Sequence, residues 1–388
     1  MLHRPLSAAA AAIIVFGTSL GAALPAHAMI SATPVRHQTF MVRRQPQAFK
    51  QKYFTMADAV QPTDITLGPK GTALWIGSPC FGILRVTPKG IATAFNYQYP
   101  PSGCNYPVSV TPGIKGEVWF VDGPLNAVGA ITPKGKITLY PLPTQPSCNI
   151  YPSYPNGIVE GPDGAMWFTT QNAGDVLCAN ANTSAVGRIT ASGQMTLYYT
   201  GPPGTIHTYN PSGYIAVGSD GAMYFPAGDP SSPQHLVVGR ITTAGTISFT
   251  NEVYCSASTA CISNTFGITE GPDGNMWISE YFDGVFVRYT VATGGVTVFP
   301  VPGAVGGNTN PIGPRRLVIG PDGGMWFTTY TALELGRLTT DGTITFQPLS
   351  VDPSQADEFW GITAVKKSLW FPIWPRNPGN VNLGEATF

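Results

Sequence analysis

Few side chains in this sequence could perform acid–base chemistry, and they are widely separated. Beyond the first 28 residues, the only histidines are His37, His207 and His235. Histidine is the usual proton acceptor near neutral pH, and carboxylates can help to hold a divalent cation. Two carboxylates, Glu280 and Asp122, follow strongly apolar stretches at matching places in the chain. Proton transfer or metal binding would have to use members of this small set.

The six cysteines indicate disulfides rather than a metal site. They are Cys80, Cys104, Cys148, Cys178, Cys255 and Cys261. An even number of cysteines favours disulfide bonds if the chain is exported. No two of them form a C-x-x-C pair, so neither a zinc site nor a thioredoxin-type redox motif is supported.

The first 28 residues predict a signal peptide. His3 and Arg4 form a short basic start, residues 8–23 are almost wholly apolar, and Ala26-His27-Ala28 supplies the small-x-small cleavage pattern. The apolar stretch is too short and too weakly flanked to span a membrane. We therefore expect a secreted or periplasmic protein with a signal peptide at 1–28 and a linker at 29–48.

The composition predicts many short strands joined by tight turns. The chain has 45 Gly and 37 Pro, and only 11% of its residues are charged, against about 25% in ordinary soluble proteins. Its net charge is zero, so it lacks the broad basic field that attracts nucleic acid or anionic lipid. We expect neither as a partner, and we expect a monomer.

A repeated motif organises the chain. Gly-Pro-Asp-Gly-x-Met-Trp stands at 161–167, 271–277 and 320–326, with a looser copy at 218–224. The aromatic anchors of all copies lie 44 to 57 residues apart: Trp75, Trp119, Trp167, Tyr224, Trp277, Trp326 and Trp370. This period suits one four-stranded propeller blade. The sequence therefore predicts an all-β, seven-bladed β-propeller with antiparallel blades, in which each anchor packs between neighbouring sheets.

The two ends of the repeat predict how the ring closes. After Trp370 only one further strand fits, around residues 382–388, so the last blade lacks its outer strand. Residues 49–55 form an isolated strand-like segment before the first copy. Pairing this segment with the last blade would close the ring and remove exposed sheet edges. We therefore place the propeller at 49–388.

The same frame suggests cysteine pairs. Cys255 and Cys261 share one inter-blade loop and most simply pair with each other. Loops on one face of the propeller would bring Cys80 near Cys104 and Cys148 near Cys178. Sequence alone leaves the connectivity open.

With these motifs, and with Gly-Arg-Ile-Thr at 187–190 and 239–242, the chain resembles the virginiamycin B lyase family, the streptogramin lyases. The resemblance runs from about residue 49 to the end. It implies a seven-bladed propeller that linearises a cyclic depsipeptide antibiotic by elimination. It also implies a His base and acidic residues that hold Mg²⁺ at one face of the ring.

The family's His position in each blade is filled by other residues here. In blade order these are Thr63, Val108, Asn156, Gly213, Phe266, Arg315 and Trp360. His207 and His235 lie in loops expected on the same face, so either is a candidate displaced base. The alternative for both is an ordinary solvated loop histidine.

The family's acidic position is kept only in part. Glu280 retains the glutamate, and Asp122 is a shorter carboxylate in the second blade. The resemblance makes Glu280 a candidate acid–base residue and makes both carboxylates candidate Mg²⁺ ligands. The alternative is that both are solvated residues at strand ends.

Aromatic and polar residues are expected at the channel mouth instead. They are Asn156, Phe266, Tyr281, Arg315, Tyr330 and Trp360. Such a set suits a small molecule, a cyclic peptide or a glycan. Three hypotheses follow: a lyase with a relocated base, a binding propeller without catalysis, and a lactone- or sugar-processing propeller with a carboxylate-bound metal.

Overall fold

The chain folds into a ring of seven antiparallel sheets, which confirms the predicted all-β, seven-bladed propeller. The computed structural model describes residues 29–30, 36–37, 49–56, 60–97, 105–143, 154–171, 184–201, 210–211, 213–228, 236–250, 265–305, 312–377 and 379–388. Inner strands of successive blades contact each other around the ring, and blade seven contacts blade one. In the described part of the chain, no helix has the length and apolar character needed to cross a membrane.

The first three blades each have four strands in chain order. From the inner to the outer position, these strands are Asp64–Leu67, Leu74–Ser78, Gly82–Val86 and Ala92–Phe95 in blade one; Pro107–Gly113, Glu117–Asp122, Ala127–Ile131 and Ile137–Pro141 in blade two; and Tyr154–Glu160, Met166–Gln171, Ala185–Ile189 and Met195–Tyr199 in blade three. Short 3₁₀ turns at Pro69–Gly71 and Ile114–Gly116 join the first two strands of blades one and two.

The last four blades follow the same order, with the inner strand split in blades four and seven. The strands are Asn210–Pro211, Ala216–Val217, Met223–Gly228, Leu236–Ile241 and Ile247–Thr250 in blade four; Thr265–Glu270, Met276–Glu280, Val285–Tyr289 and Val296–Pro300 in blade five; Pro314–Ile319, Met325–Thr329, Glu334–Leu338 and Ile344–Pro348 in blade six; and Ala356–Phe359, Thr363–Val365, Ser368–Pro375 and Leu383–Thr387 in blade seven.

The repeated turn is held by its own aspartate. In blade three, Gly164 has a φ of 67°, which favours glycine. The Asp163 carboxylate accepts from the Trp167 indole at 2.9 Å and from Arg188 Nε at 2.7 Å. Burial alone would raise the pKa of Asp163, but these hydrogen bonds lower it below its usual value. The recurring Asp, Trp and Arg of the repeat therefore stabilise the turn.

The aromatic anchors pack between blades, as predicted. Trp167 of blade three packs with Phe225 and Val237 of blade four. Trp326 of blade six likewise packs with Leu369 and Phe371 of blade seven. Burying apolar surface contributes roughly 25 cal/mol per Å². Each sheet therefore depends on its neighbour for much of its stability.

The ring is closed by the segment that precedes the first blade. Lys50–Phe54 pairs antiparallel with Leu383–Thr387 and supplies the outer strand of blade seven. This confirms the predicted closure. Two short pieces of the predicted linker also pair with the propeller: Met29–Ile30 lies parallel to the outer strand of blade four, and Arg36–His37 lies parallel to that of blade five.

Candidate functional site

A pocket opens where the inner strands begin. We call it the mouth pocket; it encloses about 200 Å³ and is lined by Thr63, Tyr106, Val108, Asn156, Gln171, Gly213, Tyr214, Thr265, Phe266 and Trp360. Six of the seven residues at the family's histidine positions, which we call the mouth residues, line this pocket, and the seventh is Arg315. Among the described residues that line the pocket, none is charged and none is a histidine. Typical ligand pockets hold roughly 300–1,000 Å³, so this one suits a single ring or side chain of a larger ligand.

Strand register explains why these positions converge. Pro107 pairs with Asp122, Pro155 with Thr170, Thr265 with Glu280 and Pro314 with Thr329. The mouth residue is the next one along the inner strand. The family's histidine and acidic positions therefore lie at the same end of each blade.

Arg315, the mouth residue of blade six, lies inside a cluster of aromatic rings. Its Cζ is 4.0 Å from the ring centroid of Trp360, 4.5 Å from Tyr330, 4.8 Å from Phe266 and 5.7 Å from Tyr281. We call Arg315 and these four rings the arginine cage. Guanidinium groups bind favourably over aromatic faces. The cage joins blades five, six and seven beside the mouth pocket.

The charge of Arg315 is balanced within the cage. Its Nη2 lies 3.1 Å from Oε2 of Glu358, and its side chain is 4% exposed. Burial lowers the pKa of Arg315, and Glu358 opposes that shift. An arginine with a partner carboxylate remains charged under ordinary conditions.

A second ionic cluster connects three blades across the channel. Arg316 Nη2 lies 3.6 Å from Oδ2 of the buried Asp64, and its Cζ is 3.5 Å from the ring centroid of Tyr214. Burial raises the pKa of Asp64, although Arg316 opposes the shift. Sequence reasoning missed these three residues. Two of them could have been found from their position in the repeat, since Asp64 and Arg316 each directly follow a mouth residue.

Glu280 is buried rather than solvated, so the alternative of an exposed strand-end residue is wrong. It is 1% exposed, and its Oε2 accepts the backbone N–H of Asp283 at 2.7 Å. Burial raises the pKa of Glu280 to about 8. This shift favours the protonated form of the side chain at neutral pH. Glu280 is the last residue of its strand, where it pairs with Thr265, and it does not line the mouth pocket.

Asp122 is also fully buried, and its oxygens are engaged by the protein. Its Oδ2 accepts from the Tyr97 hydroxyl at 2.7 Å and from the Tyr106 backbone at 2.8 Å, while Oδ1 accepts from the Leu125 backbone at 3.1 Å. Burial raises the pKa of Asp122, and these hydrogen bonds oppose the shift. The geometry is that of a carboxylate that holds a loop.

These two carboxylates do not fit a Mg²⁺ site. Mg²⁺ binds ionised oxygen ligands with free lone pairs, whereas burial favours the protonated form of Glu280 and Asp122 is engaged by three donors. In the described ranges, no three His, Cys, Asp or Glu side chains gather as a metal-ligand group.

The other predicted site residues that the structure describes fall into two groups, one in the mouth pocket and one in the arginine cage. Asn156, Phe266 and Trp360 line the mouth pocket, while Tyr281 and Tyr330 join Arg315 in the cage. His207 and His235 lie outside the described residues, as do Cys104, Cys148, Cys178, Cys255 and Cys261. Cys80 is described and is disulfide-bonded.

Comparison of the sequence with protein families gives one assignment. The model of the virginiamycin B lyase family matches residues 49–302 and 231–377. Together these ranges cover nearly the whole propeller. No curated protein sequence matches the chain.

Solved structures agree with this assignment. A catalytically inactive virginiamycin B lyase variant from Staphylococcus aureus with quinupristin is 29% identical, with a TM-score of 0.66 over 88% of this chain and 100% of that one. A streptogramin B lyase is 26% identical, with a TM-score of 0.64 over 87% of this chain and 97% of that one. Hydrazine synthase of Kuenenia stuttgartiensis, at 15% identity and a TM-score of 0.61 over 85% of this chain and 96% of that one, shares the fold.

Proposed function

Since the chain belongs to the virginiamycin B lyase family, we propose that it is a ligand-binding propeller, which holds a small amphipathic molecule at the mouth pocket without breaking it. The observation that carries this proposal is the lining of that pocket. The aromatic residues Tyr106, Tyr214, Phe266 and Trp360 share this lining with uncharged polar residues. Such a surface binds apolar rings and orients amides or hydroxyls.

The chemistry needed for elimination is not assembled from the described residues. Breaking an ester by elimination needs a base that takes the proton beside a carbonyl and a positive group that stabilises the enolate. Glu280 retains the family's glutamate in blade five, but it is buried, and burial raises its pKa to about 8. At neutral pH only a minor fraction of such a group is ionised and able to accept that proton.

The binding proposal is tested with quinupristin as the probe. Calorimetric titration of the purified protein should give saturable binding. Liquid chromatography with tandem mass spectrometry should show an intact ring, because elimination changes retention and fragmentation but not mass. Phe266→Ala should weaken binding, while Tyr199→Ala, at an exposed outer-strand position, should not. A panel of cyclic peptides and oligosaccharides tested in parallel separates peptide ligands from glycans, and binding of none of them would contradict the proposal.

A second candidate, the elimination reaction of the family, is favoured by the family assignment itself. It would require His207 or His235 as a displaced base. In the same assay this candidate predicts a linearised product that His207→Ala or His235→Ala abolishes. Turnover that survives both substitutions but is lost in Glu280→Gln would assign the proton transfer to Glu280.

Export is part of the proposal and rests on the sequence. The basic start and the Ala26-His27-Ala28 pattern favour cleavage after Ala28. N-terminal sequencing of protein from the periplasm and from the medium should begin at Met29. A mature protein that keeps residues 1–28 would contradict export by this route.

A further inference from the structure

The lysines of this chain are confined to blades seven, one and two, and residues 137–365, which include blades three to six, contain none. Seven of the nine lysines lie in turns between inner and second strands or between third and outer strands. Neighbouring strands of a blade are antiparallel, so both kinds of turn lie at one face of the ring, opposite the mouth pocket. We call these exposed side chains the lysine sector: Lys70, Lys89, Lys115, Lys134, Lys136, Lys366 and Lys367.

Three of these lysines stand in the turn where other blades have aspartate. Lys115 and Lys366 precede their anchor tryptophans by four residues, as Asp163 does in blade three. Together with Lys70 they have φ angles of 54 to 64°. Gly, Asn and Asp are the residues usually found in this left-handed region. Turn chemistry therefore does not account for lysine at all three positions.

The positive charges of the lysine sector are not cancelled by neighbouring carboxylates. No ion pair between described residues includes any of the seven lysines. Lys115 Nζ donates to the carbonyl of Ala191, and Arg85, beside the same turns, donates to the carbonyl of Pro133 at 2.9 Å. In blades three to six, by contrast, each turn aspartate pairs with an arginine of the repeat: Arg188–Asp163, Arg240–Asp220, Arg288–Asp273 and Arg337–Asp322.

Few carboxylates of the described residues share this face with the lysines. Glu385 of blade seven bonds to the Ser368 hydroxyl at 2.9 Å and lies 3.8 Å from Lys52, which leaves Glu117 of blade two. The charges of blades three to six that remain beside the paired ones at this face are all negative: Glu160, Glu270 and Asp341. The face is therefore positive over blades seven, one and two and negative over the rest.

An exposed apolar side chain lies within the lysine sector. Ile91, in the same turn as Lys89, is 63% exposed, more than any other large apolar side chain of the described residues. Its turn is fixed by the N–H of Thr87, which donates to the Ile91 carbonyl at 3.0 Å, and by the N–H of Gly90, which donates to the Thr87 carbonyl at 2.9 Å. The structure therefore presents Ile91 to solvent among positive charges.

This combination favours an anionic lipid surface as the partner. Lysine is a hydrated point charge on a flexible stem, which suits many separate head groups better than one anion held in fixed geometry. Basic residues near an anionic bilayer are attracted to its head groups, while an apolar side chain beside them enters the boundary with the acyl chains. An acidic polysaccharide would offer Ile91 no such apolar layer.

We propose that the propeller binds peripherally to an anionic lipid bilayer through the lysine sector and Ile91, with the mouth pocket facing away from the membrane. Because the pocket lies at the opposite face, this inference does not depend on the proposed ligand-binding function. The zero net charge, from which the sequence predicted no anionic lipid partner, is the sum of a positive sector and a negative remainder.

The test is sedimentation of the full mature chain with vesicles of equimolar phosphatidylcholine and phosphatidylglycerol. The protein should bind these vesicles, should not bind phosphatidylcholine alone, and should be released when sodium chloride is raised from about 0.1 to about 1 M. Replacing Lys70, Lys115 and Lys366 together by glutamine should weaken binding about 100-fold. Ile91→Ser should weaken it about 5- to 10-fold.

Two control variants separate charge and position from folding. Replacing the same three lysines by arginine keeps the charge and should leave binding within about 2-fold of the unmodified protein. Arg376→Gln removes an exposed charge beyond the mouth end of a blade-seven strand and should have no effect. Thermal melting of each variant checks folding, and Ile91→Ser keeps the test decisive if the triple glutamine variant unfolds.

The outcomes also separate lipid from other anionic partners. Absence of binding to the equimolar vesicles at low salt would overturn the proposal, as would equal binding by the folded glutamine variant. Retention on an alginate column without vesicle binding would assign the lysine sector to an acidic polysaccharide instead. The glutamine variant should still bind quinupristin as the unmodified protein does, so failure of the membrane proposal and failure of the ligand-binding function are read from different experiments.

Discussion

Tyr53 in the first propeller strand pairs with Gly384 in the last blade, which joins the two ends of the repeat array in one sheet. The joint extends beyond the backbone. The Phe49 ring packs edge-on against Trp326 and Phe388 at 5.3 and 5.1 Å. The Gln51 side chain accepts the backbone N–H of Ser350 at 2.7 Å. Blade seven is thereby held to blade six through the first propeller strand.

Removing this strand should destabilise the whole ring. A protein that starts at residue 57 loses the outer strand of blade seven and the Phe49 contacts, and we expect it to lose about 3 kcal/mol or more of unfolding free energy. Guanidinium denaturation followed by tryptophan fluorescence measures the loss. A protein that starts at residue 49 is the control and should stay close to the full mature chain. Equal stability of the two truncations would contradict ring closure as the source of stability.

The blades and the closing strand could be predicted from the sequence because their signals are local. Trp167, Trp277 and Trp326 follow the same turn, and one sheet cannot bury such a side chain by itself. The mouth positions followed from the same repeat, since strand register places one inner-strand residue per blade at the channel.

The contacts across the channel could not be predicted, because they depend on geometry between blades that are far apart in sequence. Asp64, Tyr214 and Arg316 come from blades one, four and six. The burial of Glu280 is similar: a carboxylate at a strand end gives no sign in the sequence of whether loops cover it. The parallel pairing of Met29–Ile30 also follows no periodic signal.

Gly187→Ala should destabilise blade three. A Cβ on Gly187 would lie 2.0 Å from Cζ of Phe168 in the neighbouring strand, so the ring would have to leave its place in a close-packed core. Overpacking of this kind costs about 1–3 kcal/mol. Chemical denaturation measures the change, and Thr196→Ala at an exposed position of the same blade should change stability by less than about 0.5 kcal/mol.

The same clash can be tested by relieving it. Phe168→Leu removes the ring atoms that a Cβ on Gly187 would meet. In a double-mutant cycle, Gly187→Ala should therefore cost less in the Phe168→Leu background than alone. Additive effects would show that the destabilisation has another origin.

The disulfide partner of Cys80 should be Cys104. Cys80 is disulfide-bonded, and its backbone N–H donates to the carbonyl of Asn105 at 2.9 Å, next to Cys104 in the sequence. Trypsin digestion without reduction should yield the fragment 71–85 joined to the fragment 90–115, as read by mass spectrometry. A link from 71–85 to any other cysteine-containing fragment would contradict this pairing.

Glu280 should make the protein less stable as the pH rises. Burial raises its pKa to about 8 in the folded state, against about 4.3 in an unfolded chain. Between these values the folded state binds the proton more tightly than the unfolded state, so unfolding free energy falls as pH increases, by up to about 1.4 kcal/mol per pH unit. Glu280→Gln has no proton to lose and should remove this contribution between about pH 4.5 and 8. Urea denaturation across that range measures the slope.

Asp163→Asn provides a control of opposite sign in the same experiment. The pKa of Asp163 is lowered in the folded state by its hydrogen bonds, despite partial burial. The contribution of Asp163 to folding stability is therefore present at pH values above its unfolded-state pKa. It is lost as the pH falls through the lower pKa of the folded state. The substitution should change the pH dependence of the unfolding free energy below about pH 4 and should not change it between pH 5 and 8. If Glu280→Gln and the unmodified protein keep parallel stability curves from pH 4.5 to 8, Glu280 is ionised in the fold, and it regains its candidacy as the base of an elimination reaction.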